Sequence, residues 1–156
     1  MLELSIPGFG TIRAQHLVCD FTGTLSVDGR LLPGVRQRLN RLAEELTLHI
    51  VTGDAFGTAA VALKEVRGSV LILDGEDQDW QKEWYVRDLG AERVIAVGNG
   101  NNDWRMLKAA RLGIAVSTGE GCAVATMLHA DIQAGGILEA LDLLLHPQRL
   151  RATLRT

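Results

Sequence analysis

A chain of 156 residues suffices for one domain with a substantial core and is too short for two of ordinary size. Its apolar share of 47%, charged share of 22% and net charge of −3 are those of a globular protein, and they argue against electrostatic capture of nucleic acid or of an anionic membrane. No apolar run approaches the roughly 20 residues of a spanning helix, residues Met1 to Gly10 lack a basic, apolar leader, and Cys19 and Cys122 are too few for a disulfide framework, so a cytoplasmic setting is expected.

In chain order, Leu2 to Ile6 alternates apolar and polar residues, Pro7 to Gly10 turns, and Thr11 to Phe21 is extended again. This pattern predicts an N-terminal β-hairpin whose second arm runs into a buried strand ending at Asp20. Pro33-Gly34 opens a helix through about Leu46, with Leu39, Leu42 and Leu46 at helical spacing. The apolar run Leu46 to Val51 stops at Thr52-Gly53-Asp54. A helix is expected over 56–66, a short buried strand over Val70 to Leu73, and a helix over 77–89 carrying Trp80, Trp84 and Leu89. Arg93 to Val97 is a strand closed by Gly98-Asn99-Gly100. Helix, strand, helix and strand follow at 102–110, 112–116, 122–129 and 131–133, and two helices end the chain from Gly136 and from Pro147. This alternation predicts an α/β fold: a Rossmann-like, doubly wound parallel sheet with helices on both faces and a hairpin at the N-terminus. No connection is long enough for a cap domain, so residues 1–156 are expected to form one capless domain.

Three strands end in polar residues: at Asp20, at Thr52-Gly53-Asp54, and at Gly98-Asn99-Gly100-Asn101-Asn102-Asp103. Parallel strands bring their carboxyl ends to one edge, where open α/β sheets bind ligands. Lys82 falls between the second and third. Such a set meets the needs of phosphoryl transfer through an aspartyl phosphate. Asp20 is the candidate nucleophile. Asp20 and Asp103, with the Thr22 backbone carbonyl, offer hard oxygens to magnesium. Thr52 and the amides around Gly53 suit phosphate oxygens, and Lys82 supplies fixed positive charge. The bland readings are a turn for each Gly-rich stretch and a solvated helix face for Lys82. Order and strand-end placement outweigh them.

The same residues resemble the haloacid-dehalogenase-like superfamily, and within it the soluble branch similar to P-type ATPases. Asp20-Phe21-Thr22-Gly23-Thr24-Leu25 is similar to the D-K-T-G-T-L phosphorylation site of those pumps, Thr52-Gly53-Asp54 to their T-G-D, and Gly98 to Asp103 to G-D-G-x-N-D. Lys82 stands where the superfamily's lysine belongs. The resemblance runs over nearly the whole chain and implies a HAD-like fold and a phosphatase activity. It implies Asp20 and Thr22 in the catalytic motif, Thr52, Gly53, Lys82 and Asn102 on phosphate, and Asp20, Thr22, Asn99 and Asp103 around Mg2+.

Two departures shape the expected activity. Phosphatases of the superfamily carry a second carboxylate two residues after the nucleophile, where this chain has Thr22, and a hydroxyl cannot do that proton transfer near neutral pH. Asn99 replaces the first Asp of G-D-G-x-N-D, leaving less charge for the metal. Slow turnover is therefore expected, best on aryl or acyl phosphates, with a non-catalytic or slowly dephosphorylating regulatory domain as the alternative. A receiver-like signalling domain fits the order of Asp20, Thr52, Lys82 and Asp103 poorly. The expected partner is a phosphorylated small molecule or a phosphoprotein, with walls from a second copy of the chain if the substrate is small. His16, His49, His129 and His146 show no metal-ligand spacing and are assigned structural or surface places, and Trp80, Trp84 and Trp104 are assigned to packing.

Overall fold

A computed structural model describes all 156 residues. The chain begins with the hairpin β1 (Leu2–Ile6) and β2 (Gly10–Ala14), paired antiparallel with Leu2 opposite Ala14. Its alternation buries Leu2, Leu4, Ile6, Ile12 and Ala14. After Gln15 the backbone leaves this ribbon and enters the central sheet as β3 (His16–Cys19). The other sheet strands are β6 (Thr47–Thr52), β7 (Ser69–Ile72), β8 (Val94–Gly98), β9 (Leu112–Val116) and β10 (Ile132–Ala134). Their spatial order is β10-β9-β8-β3-β6-β7, and every pairing is parallel.

Both faces are covered, which is why the strands read as continuous apolar runs. Leu17, Cys19, Ile95, Val97, Ile114 and Val116 point into one apolar cluster. That cluster also takes the hairpin, helix α1 (Val35–Leu42) and helix α6 (Ile137–Leu145). Val18, Val94, Ala96 and Ala115 point into the other, with Val86 of α3 (Gln78–Asp88) and Met106 and Leu107 of α4 (Trp104–Ala109). The remaining helices are the single turn α2 (Ala59–Ala62), α5 (Val124–His129) and α7 (Pro147–Leu154), whose Leu150 is buried. No helix is long and apolar enough to cross a membrane.

Three expectations need correction. The strand β7 is not buried: it is the sheet edge, and Val70, Leu71 and Ile72 remain 38%, 40% and 43% exposed. The helix expected over 56–66 shrinks to α2, because the chain first turns through Gly57 at φ 66°. Trp80 and Trp84 lie on the open side of α3, Trp80 beneath the Arg105 guanidinium, whereas Trp104 does pack, against His129 and Arg105. His16 and His49 take the structural places expected of them. His16 Nδ1 lies 3.0 Å from His49 Nε2, and His49 Nδ1 lies 2.8 Å from the Tyr85 hydroxyl. Burial, helped at His16 by Arg93 and at His49 by His16, holds both imidazoles below their usual pKa.

One element was not foreseen. Between β3 and α1 the chain makes a small hairpin, β4 (Ser26–Val27) and β5 (Arg30–Leu31). Asp28 and Gly29 form its tip with φ of 51° and 73°, the left-handed pair that a tight two-residue hairpin turn demands. The Asp-Gly pair was its sequence signal.

Candidate active site

The strand order reverses between β3 and β8, so their carboxyl ends diverge and open a crevice. Asp20 follows β3, Thr52 ends β6, and Asn99 follows β8. A cleft of about 370 Å3 lies over these ends, lined by Asp20, Thr22, Thr52, Gly53, Asn99 and Asn102 among others. Six of the eight sequence-picked site residues thus share one cleft, and Lys82 and Asp103 sit directly beneath it.

Lys82 is fully buried, an unusual place for an ammonium group. Its Nζ donates to Asp20 Oδ1 and to Asp103 Oδ1, each at 2.8 Å. The second oxygen of Asp103 accepts the backbone amides of Asn99 and Gly100, at 3.0 and 2.9 Å. Oδ2 of Asp103 is thus filled by two amides, while Oδ1, with Lys82 alone, keeps one lone pair. The Thr24 hydroxyl lies 3.0 Å from both Asp20 Oδ2 and Asn99 Oδ1, and its single hydrogen can serve only one of them at a time.

Two carboxylates on one ammonium leave this buried trio with a net negative charge. Burial, and then the charge of Asp103, push the Asp20 carboxyl up to about 6, against the pull of Lys82 and Thr24. Burial alone would lower the Lys82 ammonium, but Asp103 and Asp20 more than offset it and hold it above the usual lysine range. The arrangement presents an ionisable oxygen nucleophile to the cleft with its charge partly compensated from below.

The cleft walls explain several small residues. A Cβ on Gly98 would fall 2.6 Å from Asp103 Cβ, so only glycine lets the carboxylate turn back under the loop. Gly98→Ala is expected to cost about 1–3 kcal/mol in urea unfolding, the usual range for overpacking. A Cβ on Gly53 would meet the Gln78 side chain at 2.5 Å, and Gln78 Oε1 in turn accepts from Asn102 Nδ2 at 3.3 Å. Thr52 Oγ1 accepts the Asp54 amide at 3.0 Å. Asp54, with φ 50°, turns its Oδ1 onto the amides of Thr58 and Ala59 and so starts α2. Thr22 Oγ1 is the one buried side-chain oxygen with no hydrogen-bond partner.

Sequence reasoning missed Thr24, Gln78 and Glu120. Thr24 sits inside the motif that singled out Asp20. Glu120 lines the cleft from the loop after β9, and Asp28 donates its amide to Glu120 Oε2 at 3.2 Å.

A family model described as haloacid dehalogenase-like hydrolase matches residues 82–141. An uncharacterized protein of Methanocaldococcus jannaschii is 52% identical over 64 residues, covering 41% of this chain and 69% of that protein. A probable copper-transporting ATPase of Arabidopsis thaliana is 34% identical over 108 residues, which is 67% of this chain and only 11% of the ATPase. Among solved structures, the 3-deoxy-D-manno-octulosonate 8-phosphate phosphatase of Moraxella catarrhalis, in complex with magnesium, phosphate and its sugar, superposes with a TM-score of 0.71. The match covers 91% of each chain at 20% identity. The cobalt-bound phosphatase of the same sugar phosphate from Haemophilus influenzae gives 0.70 over 92% of this chain and 94% of that one, at 13% identity. The chain belongs to the haloacid dehalogenase-like hydrolases, and it shares the fold of these phosphatases over almost its whole length.

Proposed function

We propose that this chain is a magnesium-dependent phosphohydrolase that passes the phosphoryl group through an aspartyl phosphate on Asp20. The observation that carries this reading is the buried Lys82, hydrogen-bonded at once to Asp20 and Asp103 under a polar cleft. An Asp20 oxygen attacks phosphorus as the bond to the leaving group breaks. Thr52, the Gly53 amide and Asn102 hold the other phosphate oxygens at the cleft wall, and Lys82 steadies Asp20 from below.

The donor set fits magnesium. Asp20 Oδ2 and Asn99 Oδ1 converge on one shared hydrogen of Thr24, so at any moment one of these oxygens lacks it. No three carboxylates, histidines or cysteines gather to form a protein-only cage. That suits a cation that keeps waters and phosphate oxygens and takes only one or two protein carboxylates. Asp20, Asp103, Asn99 and the Thr22 backbone carbonyl would hold it. When bound, the ion neutralises the negative charge gathered between Asp20 and phosphate.

Turnover is slow in this reading because the Thr22 hydroxyl is too weak an acid and too weak a base to carry the proton near neutral pH, and it makes no hydrogen bond. The substrate is a phosphorylated small molecule or a phosphoprotein. Within residues 1–156 no cap covers the cleft, so a small substrate is enclosed by a second copy of the chain. A cytoplasmic setting agrees with two unpaired cysteines, one of them buried. The regulatory alternative, a domain that binds phosphate and magnesium with little turnover, draws on Thr22 and Asn99.

Hydrolysis of an aryl phosphate with magnesium, against the same protein in EDTA, tests the proposal. Activity is expected with magnesium only, and to exceed that on alkyl phosphates by about 100-fold or more, since poor leaving groups need the missing acid. Equal rates in EDTA would refute the metal requirement. Magnesium binding with no hydrolysis would favour the regulatory reading.

A further inference from the structure

The cleft lacks a proton-handling group at position 22, yet three carboxylates line it: Asp20, Asp54 and Glu120. Asp20 is engaged by Lys82 and Thr24. Asp54 spends Oδ1 on two amides at the start of α2. Glu120 differs from both. It is exposed at the cleft mouth, and its Oε2 accepts a single amide hydrogen, from Asp28 at the tip of the β4–β5 hairpin.

The loop that carries Glu120 is clipped to the site at both ends. Thr118 Oγ1 donates to the Gly23 carbonyl, at 2.6 Å, in the turn just after Asp20. Asn99 Nδ2 donates to the Gly121 carbonyl at 3.0 Å, and Gly121, at φ 80°, closes the turn through its amide to Thr118. A carboxylate on a loop anchored to the nucleophile's turn on one side and to the β8 loop on the other is held over the cleft by the same groups that shape it.

We infer that Glu120 is the general base that hydrolyses the aspartyl phosphate, in place of the carboxylate absent at position 22. This inference rests on the reading of Asp20 as nucleophile. In the step, a water oxygen bonds to phosphorus while the phosphorus–Oδ bond of Asp20 breaks. The water proton passes to the Glu120 carboxylate and then to solvent. Inorganic phosphate leaves and the Asp20 carboxylate is restored.

The test loads the full chain with acetyl phosphate and magnesium, removes the excess by rapid desalting, and follows the hydroxylamine-labile phosphate by intact mass. Glu120→Gln is expected to load at the wild-type rate and to lose its phosphate about 100-fold more slowly, within the usual range for a general base. Its decay should also lose the acid limb of the wild-type pH profile, and Glu120→Asp should recover part of the rate. Wild-type decay in Glu120→Gln would overturn the inference, as would loading and decay slowed alike, which is the mark of a merely structural role. A wild-type chain that never acquires the labile phosphate would instead remove the nucleophile reading and this one with it.

Discussion

Asp20→Asn is expected to abolish phosphate-ester hydrolysis, by about four orders of magnitude or more, while making the protein harder to unfold at neutral pH. The first effect follows from removing the attacking oxygen, a loss that binding and the remaining polar groups do not replace. The second follows from the charge beneath the cleft. Burial and then Asp103 push the Asp20 carboxyl up to about 6 in the folded protein, above its ordinary value near 4. The folded state then holds a proton more readily than the unfolded state between those two values. The resulting penalty is absent at pH below the unfolded value, grows as pH rises, and is full above about pH 6. An amide at position 20 brings the trio with Lys82 and Asp103 to neutrality and can still accept from Lys82. Asp20→Asn should therefore raise stability by about 1–3 kcal/mol at pH 7.5 and by little at pH 4. Thermal melts at the two pH values check this, and a variant less stable than wild type at pH 7.5 would contradict it.

Lys82→Met is expected to have the opposite effect on stability and a similar effect on activity. Methionine fills the volume but leaves two buried carboxylates in contact with no cation. Breaking a buried pair in this way costs about 3–5 kcal/mol. The sign with pH is again fixed. Loss of the ammonium removes a cause that lowers the folded-state pKa of Asp20 and so raises it further above the unfolded value, and the variant should regain stability as pH falls from 7.5 to 5. Adding Asp20→Asn to Lys82→Met should rescue much of the loss, because one of the two uncompensated charges is gone and the effects of contacting groups do not add. Urea unfolding of the four proteins measures the coupling. Additive effects of the two substitutions, the gain and the loss simply summed, would mean that Lys82 does not bridge the carboxylates.

The convergence of Asp20, Thr52, Lys82, Asn99 and Asp103 was legible because parallel strands share one carboxyl edge. The hairpin was legible from its alternation. What was not legible has physical reasons. A continuous apolar run such as Val70 to Leu73 reads the same whether a strand is buried or lies at an edge, since periodicity reports side-chain pattern and not neighbours. Trp80 and Trp84 were expected to pack, but burial of Lys82 and Val86 fixes the orientation of α3. At 3.6 residues per turn, positions two residues away lie roughly 200° round the helix, on its open side. Burying the lysine therefore exposes the tryptophans. Glu120 was invisible because it reaches the cleft on a loop held by side-chain contacts with Gly23 and Asn99, and no sequence spacing encodes that meeting.

The most direct test of the central claim is the site of phosphate attachment. After brief exposure to acetyl phosphate and magnesium, acid quenching and peptide mass spectrometry should find the phosphoryl group on Asp20, with none on Asp20→Asn. Phosphate on Asp54, Asp103 or Glu120 instead, or hydrolysis that survives in Asp20→Asn, would contradict it.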